Sequence, residues 1–206
     1  MLFRSGQFKS SYETDSQIFP IRQDRLGILL LLAVAFVAVP ALATPYFFSA
    51  ILIPFLIFSL AALGLNILTG YAGQLSLGSA AFMAVGAFGA YNFLLRVPGI
   101  PLLAAFILGG LCAAMVGLLF GLPSLRVRGF YLAASTLATQ FFVVWALTKV
   151  RWFTNYSSSG VITAQKMQIL GFDFDTPATK YLLVLSIVVL LSLLAKNMVR
   201  SAIGRP

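Results

Sequence analysis

The chain has 206 residues, 60% of them hydrophobic and only 9% charged, with a net charge of +9. A typical soluble domain carries about 25% charged residues; fourteen basic and five acidic side chains cannot cover a soluble surface of this size. A soluble domain, a disordered chain and a fibrous repeat are therefore excluded, and with no charged side chain between Arg25 and Arg96 the solvent for most of the chain is lipid.

The basic residues sit in short connections between apolar runs. That is where membrane topology requires them, so they do not point to nucleic acid. Cys112 is the sole cysteine, and the chain has no His. This inventory leaves no disulfide framework, no zinc spacing and no Ser-His-Asp triad. No cofactor, no metal and no catalytic residue is expected, and the chain is not read as an enzyme.

Residues 1–25 are polar and mixed in charge, and read as a cytoplasmic N-terminal tail. The first apolar run, about Leu26–Ala43, is long enough to span at 1.5 Å per residue. Ala41-Leu42-Ala43 mimics a signal-peptidase site, but the leading region is too long and too acidic for a signal peptide. The run reads as an uncleaved first span. The second, about Phe47–Leu68, contains Pro54, which spans tolerate when neighbours satisfy the freed carbonyl.

An uncharged stretch rich in Gly and hydroxyls follows, from Thr69 to Ser79. Asn66 and Gln74 are the only amides between Leu26 and Tyr91. A buried amide without partners costs roughly 2–7 kcal/mol, so both need partners or a watery cavity. Gly70 and Gly73 let the backbone leave helical geometry, and Ser76 or Ser79 is placed to cap a new helix. Two readings stay open from chemistry alone. One is a broken helix near 69–79 at membrane depth, with backbone N–H groups exposed at its ends. The other is an ordinary cytoplasmic turn.

The third run extends to Leu95 and stops at Arg96, and Val97-Pro98-Gly99-Ile100-Pro101 predicts a tight turn. The fourth run is Leu102–Leu122, with Gly109, Ala113, Gly117 and Gly121 in one stripe; Gly86 and Ala90 repeat that spacing in the third. Such stripes let helix backbones approach closely, and on their own mean generic packing. Pro123–Gly129 is a short basic connection carrying Arg126 and Arg128. The fifth run is Phe130–Thr148, residues 149–180 form the only long connection, and the sixth run is about Tyr181–Ala195. Asn155-Tyr156-Ser157 and Asp173-x-Asp175 read as plain loop chemistry.

Runs of this length are helices rather than barrel strands. The fold class is thus an all-α polytopic membrane protein of about six transmembrane helices. The domain reading is a tail at 1–25, a transmembrane domain at 26–200 and a short cytoplasmic start at 201–206. With the N-terminus inside, Arg4, Lys9, Arg22, Arg25, Arg126, Arg128, Lys196, Arg200 and Arg205 lie inside, against Arg96, Lys149, Arg151, Lys166 and Lys180 outside. The excess is inside, as the positive-inside rule asks.

Leu68-Thr-Gly-Tyr-Ala-Gly-Gln-Leu-Ser-Leu-Gly-Ser-Ala-Ala-Phe82 resembles the signature of the branched-chain amino acid ABC-transporter permeases of the LivM type. So does Gly121-Leu-Pro-Ser-Leu-Arg-Val-Arg-Gly-Phe-Tyr-Leu-Ala133, and residues 174–205 resemble that family's lead-in to its ATPase-coupling loop. The resemblance covers roughly residues 45–205 in family order. It departs at Ser79, where the family usually has His, at Thr154–Gly160, which replaces a Gly-rich stretch, and at the end of the chain. There the family continues into a coupling helix and further spans, so an incomplete C-terminal part is expected.

The resemblance implies a multi-pass permease subunit in a bacterial inner membrane. Its implied partners are a second homologous permease, two cytoplasmic ABC ATPases that hydrolyse ATP, a periplasmic substrate-binding protein and membrane lipid. The implied translocation path runs past Asn66, Thr69, Gly70, Tyr71, Gly73, Gln74, Ser76, Gly78 and Ser79. Arg126, Arg128, Arg200 and Arg205 would face the ATPases or anchor topology. A permease for urea, short amides or a sugar is the near alternative. A secondary transporter is a different class, but the spans hold none of the charged groups that ion coupling uses. A non-transporting scaffold is a third.

Overall fold

The computed structural model describes residues 22–74, 76–124, 130–157, 159, 161–162, 168–169, 172–173 and 176–200. Arg126, Arg128 and Arg205, with the tail before residue 22, lie outside them. The elements are α1 (Arg22–Ala33), α2 (Val39–Leu42), α3 (Pro45–Phe47), α4 (Ile53–Asn66), α5 (Ser79–Arg96), α6 (Leu102–Ser124), α7 (Phe130–Lys149) and α8 (Pro177–Arg200). Three π-turns punctuate the first half: π1 (Val34–Ala38), π2 (Phe48–Leu52) and π3 (Ile67–Tyr71). A two-residue antiparallel ladder, β1 (Gln168–Ile169) with β2 (Phe172–Asp173), pairs Gln168 with Asp173 inside the long connection.

The all-α polytopic expectation holds. Arg25–Leu42, Pro45–Tyr71, Leu102–Leu122, Tyr131–Lys149 and Pro177–Val199 are each long and apolar enough to cross a membrane. The third run forms α5, whose 18 residues are less apolar because they include Ser79, Asn92 and Arg96. Large apolar side chains such as Leu42, Met115 and Phe141 are exposed along the helices, the surface of a protein solvated by lipid.

The chain forms two compact units, one of residues up to Ile57 with those from Tyr181 onward, the other of Phe58–Lys180. In the first, the prolines explain the π-turns. Val39 N–H bonds the Val34 carbonyl across π1, and Pro40 follows. Ile53 N–H bonds the Phe48 carbonyl across π2, and Pro54 follows at the same offset. Proline lacks the N–H that an upstream carbonyl needs, and its ring crowds that carbonyl. At π1 the carbonyl left over is that of Ala35. The Tyr181 hydroxyl donates to it at 3.1 Å, while the Tyr181 ring packs 5.3 Å from that of Phe48.

The second unit is built on α5, α6 and α7. Its core joins Ala81 and Val85 of α5 to Val143 and Leu147 of α7, with Cys112, Ala113 and Val116 of α6 packed against them. Helices α5 and α6 cross on small residues: a Cβ added at Gly109 would lie 2.6 Å from the Gly86 carbonyl oxygen and 2.9 Å from the Ala90 nitrogen. Gly89 joins this contact, with the Gly109 Cα 3.3 Å from its would-be Cβ. The predicted stripe thus packs at Gly109, Ala113 and Gly117 but not at Gly121, where a Cβ would meet nothing within 4 Å. The α5–α6 connection is the expected tight turn, with Ile100 N–H bonding the Val97 carbonyl at 3.4 Å and Gly99 at φ +79. Pro at the second position and a left-handed Gly at the third make it a type II turn.

Candidate functional site

The helix that enters through α4 ends in π3 and resumes as α5 after Gly78. The interruption is therefore shorter than 69–79: Thr69, Gly70 and Tyr71 remain helical, and the backbone is out of the helix at residues 72–74 and 76–78. Its exit is a widened glycine cap. Gly73 takes φ +63, Ala72 N–H bonds the Ile67 carbonyl at 3.3 Å and Gln74 N–H bonds the Leu68 carbonyl at 3.2 Å. A left-handed glycine just past a helix, with backward N–H bonds, is the usual way to satisfy the last carbonyls. The extra residue of π3 lengthens each bond by one position.

The restart differs from the predicted serine cap. Gly78, not Ser76 or Ser79, holds the N-cap position and makes no side-chain cap. Ser76 is buried, and its hydroxyl accepts from the Gly78 N–H at 3.3 Å. Helix α7 supplies the other support. Thr136 Oγ1 accepts from the Leu77 N–H at 3.0 Å and donates to the Ala133 carbonyl at 2.9 Å. Gly78 allows this approach, since a Cβ there would lie 3.1 Å from the Thr136 carbonyl oxygen.

Behind the interruption lies a cavity of about 240 Å³. Gln74, Ser76, Thr136 and Thr139 give it polar groups, Leu68, Phe82, Phe120 and Leu132 give it apolar walls, and Gly117 and Gly121 leave it room. Gly121 thus borders space rather than packing a helix. A chamber with hydroxyls and an amide on an otherwise apolar lining suits a small solute with one polar end and one aliphatic end.

The nine predicted path residues separate in this structure. Gln74 and Ser76 border the cavity. Gly73 and Gly78 shape the backbone around it. Asn66, Thr69, Gly70 and Tyr71 are exposed on the helix outside the cavity; Thr69 donates its hydroxyl to the Leu65 carbonyl at 2.8 Å. Ser79 opens α5 and is half-buried. Thr136 and Thr139 went unpredicted, although their spacing puts both on one face of α7.

A second unpredicted cluster lies at the far end of α5. Arg96 donates to Asn92 Oδ1 and to the Trp152 carbonyl at 2.6 Å. Its guanidinium carbon sits 3.6 Å from the Trp152 ring centroid. Asn92 Nδ2 donates to the Phe88 carbonyl at 2.8 Å and the Phe153 carbonyl at 3.0 Å. These bonds clasp the end of α5 to the turn after α7. Thr154 is buried in that turn, and Asn155 and Tyr156 take φ 51 and 62.

Five helices long and apolar enough to cross a membrane, with a break in helical geometry beside a small amphiphilic chamber, define a multi-pass helical membrane protein. The chain belongs to the family described as branched-chain amino acid transport system / permease component, which matches residues 47–206. It is similar to the high-affinity branched-chain amino acid transport system permease protein LivM of Escherichia coli (strain K12), at 33% identity over 123 residues. LivM of Salmonella typhimurium (strain LT2) is 33% identical over 120 residues. These stretches cover 60% and 58% of this chain, and 28% of each relative's length. No solved structure matches the chain.

Proposed function

We propose that this chain is the membrane-spanning permease subunit of an ABC importer that carries branched-chain amino acids inward. Family membership supports the transport class. The single structural observation that carries the substrate reading is the cavity beside the interrupted helix. Its apolar walls match an aliphatic side chain, and Gln74, Ser76, Thr136 and Thr139 offer donors and acceptors to the polar end. The side chains bordering it are uncharged, so they bind a neutral zwitterion without a fixed charge to trap it.

The chain's own part is passive under this reading. It holds a path that opens to one side at a time, and ATP hydrolysis on two partner ATPases drives the change. A second related permease and a periplasmic binding protein complete the assembly in the inner membrane, with the N-terminus cytoplasmic. Arg200, which closes α8, and the basic residues at 126, 128 and 205 belong to the cytoplasmic side.

Deleting the gene in its source cell should lower uptake of labelled leucine, isoleucine and valine and leave urea uptake unchanged. The wild-type gene should restore uptake, and Gln74→Leu should restore it only partly while reaching the membrane at normal level. Loss of urea uptake with normal leucine uptake would overturn the substrate reading.

A further inference from the structure

A larger cavity of about 560 Å³ lies between α5, α6 and α7 at the Arg96 end of α5, the end opposite Gly78. Apolar side chains line nearly all of it, among them Phe88, Phe93, Val116 and Leu147. Phe142 and Trp152, also in its lining, are 56% and 51% exposed, so the cavity opens sideways onto the lipid-facing surface. Arg96 stands at its end. Two of the five guanidinium N–H donors are used on Asn92 and Trp152, and the Trp152 ring holds the plane in place. Lys149 and Arg151, both exposed, precede Trp152 in the chain.

We infer that this groove is a binding site for an anionic phospholipid, with one acyl chain between α5, α6 and α7 and the phosphate on Arg96, Lys149 and Arg151. A positioned guanidinium is a good partner for a phosphate oxygen pair. An arginine and a tryptophan together at the end of a membrane helix also mark headgroup depth. The groove does not fit the transported solute: a free amino acid brings an ammonium, which the surrounding cations repel. The Trp152 and Phe153 carbonyls each already receive a hydrogen bond, from Arg96 and Asn92. The inference stands apart from the substrate proposed above, since lipid binding is read without transport.

The test uses the full chain carrying Trp145→Phe, which leaves Trp152 as the only tryptophan, in phosphatidylcholine nanodiscs. A small fraction of the lipid is replaced by phosphatidylglycerol or phosphatidylcholine brominated in the middle of its acyl chains, and Trp152 fluorescence is read. Half-quenching should need about fivefold less phosphatidylglycerol than phosphatidylcholine for each basic side chain engaged. Inorganic phosphate at matched ionic strength should not relieve the quenching. Arg96→Gln should erase the headgroup preference, and Lys149→Gln with Arg151→Gln should reduce it. Ala146→Phe, which fills the groove and leaves the clasp intact, should also erase it. Equal quenching by the two lipids, as expected if another segment or subunit covers the groove, would overturn the proposal. So would a preference that survives Ala146→Phe.

Discussion

Gly109 and Gly110 are neighbours in α6 with opposite surroundings. A methyl at Gly109 would press into the α5 backbone, whereas one at Gly110 would meet nothing within 4 Å. Gly109→Ala should therefore lower stability by about 1–3 kcal/mol, the usual size of an overpacking penalty. Gly110→Ala should be neutral or stabilising by up to about 1 kcal/mol through helix propensity. Reversible unfolding in mixed micelles separates the two. Thr136 poses a different question, because one hydroxyl both accepts and donates. Thr136→Ser should retain leucine uptake. Thr136→Val keeps the shape but removes the acceptor from the Leu77 N–H, at about 0.5–1.5 kcal/mol for one hydrogen bond, and should depress uptake while the protein still reaches the membrane. The small-residue stripe was legible because backbone proximity demands small side chains at helical spacing. Thr136 and Thr139 were not, because a hydroxyl in an apolar run usually bonds its own preceding turn and so carries no separate signal.

At the scale of elements, the three π-turns share one layout. Each closes with an N–H bonding five residues back, at Val39, Ile53 and Ala72. The next residue is Pro40, Pro54 or Gly73. Proline lets the helix continue after the bulge, and left-handed glycine ends it. Gly73→Val should therefore abolish uptake, since the left-handed region costs an L-residue roughly 1–2 kcal/mol and a β-branched residue fits it least; Gly73→Asn should be milder. Leucine uptake at matched expression checks both. Tyr181→Phe should destabilise the chain by about 1–3 kcal/mol, because it removes the donor to the Ala35 carbonyl and keeps the ring on Phe48. The prolines were visible in sequence, and so was a break near Gly73. The widened turns were not, because proline alone is equally compatible with a plain kink.

For the whole molecule, six apolar runs gave six long helices in the expected places, since about twenty residues of 1.5 Å rise are what a bilayer requires. What the runs did not disclose was how the helices pair, because lipid-facing and helix-facing surfaces are both apolar and the periodicity is weak. Sidedness rests on the basic asymmetry, nine residues against five. In a Cys112→Ser background, Ser157→Cys should react with an impermeant maleimide in intact cells, and Arg126→Cys only after permeabilisation. The reverse pattern would invert the topology.

The clasp between Arg96 and the Trp152 carbonyl also has a history within each synthesis of the chain. Its partners are 56 residues apart. At roughly 5–20 residues per second, Arg96 is added to the chain about 3–11 s before Trp152. During that interval the guanidinium at the end of α5 has no tryptophan beneath it, and Asn92 has no Phe153 carbonyl to reach. Water and headgroups must serve both until α6 and α7 have been inserted and the turn after them closes. The bond is thus a late step of biogenesis, and it locks three helices only once all three are present.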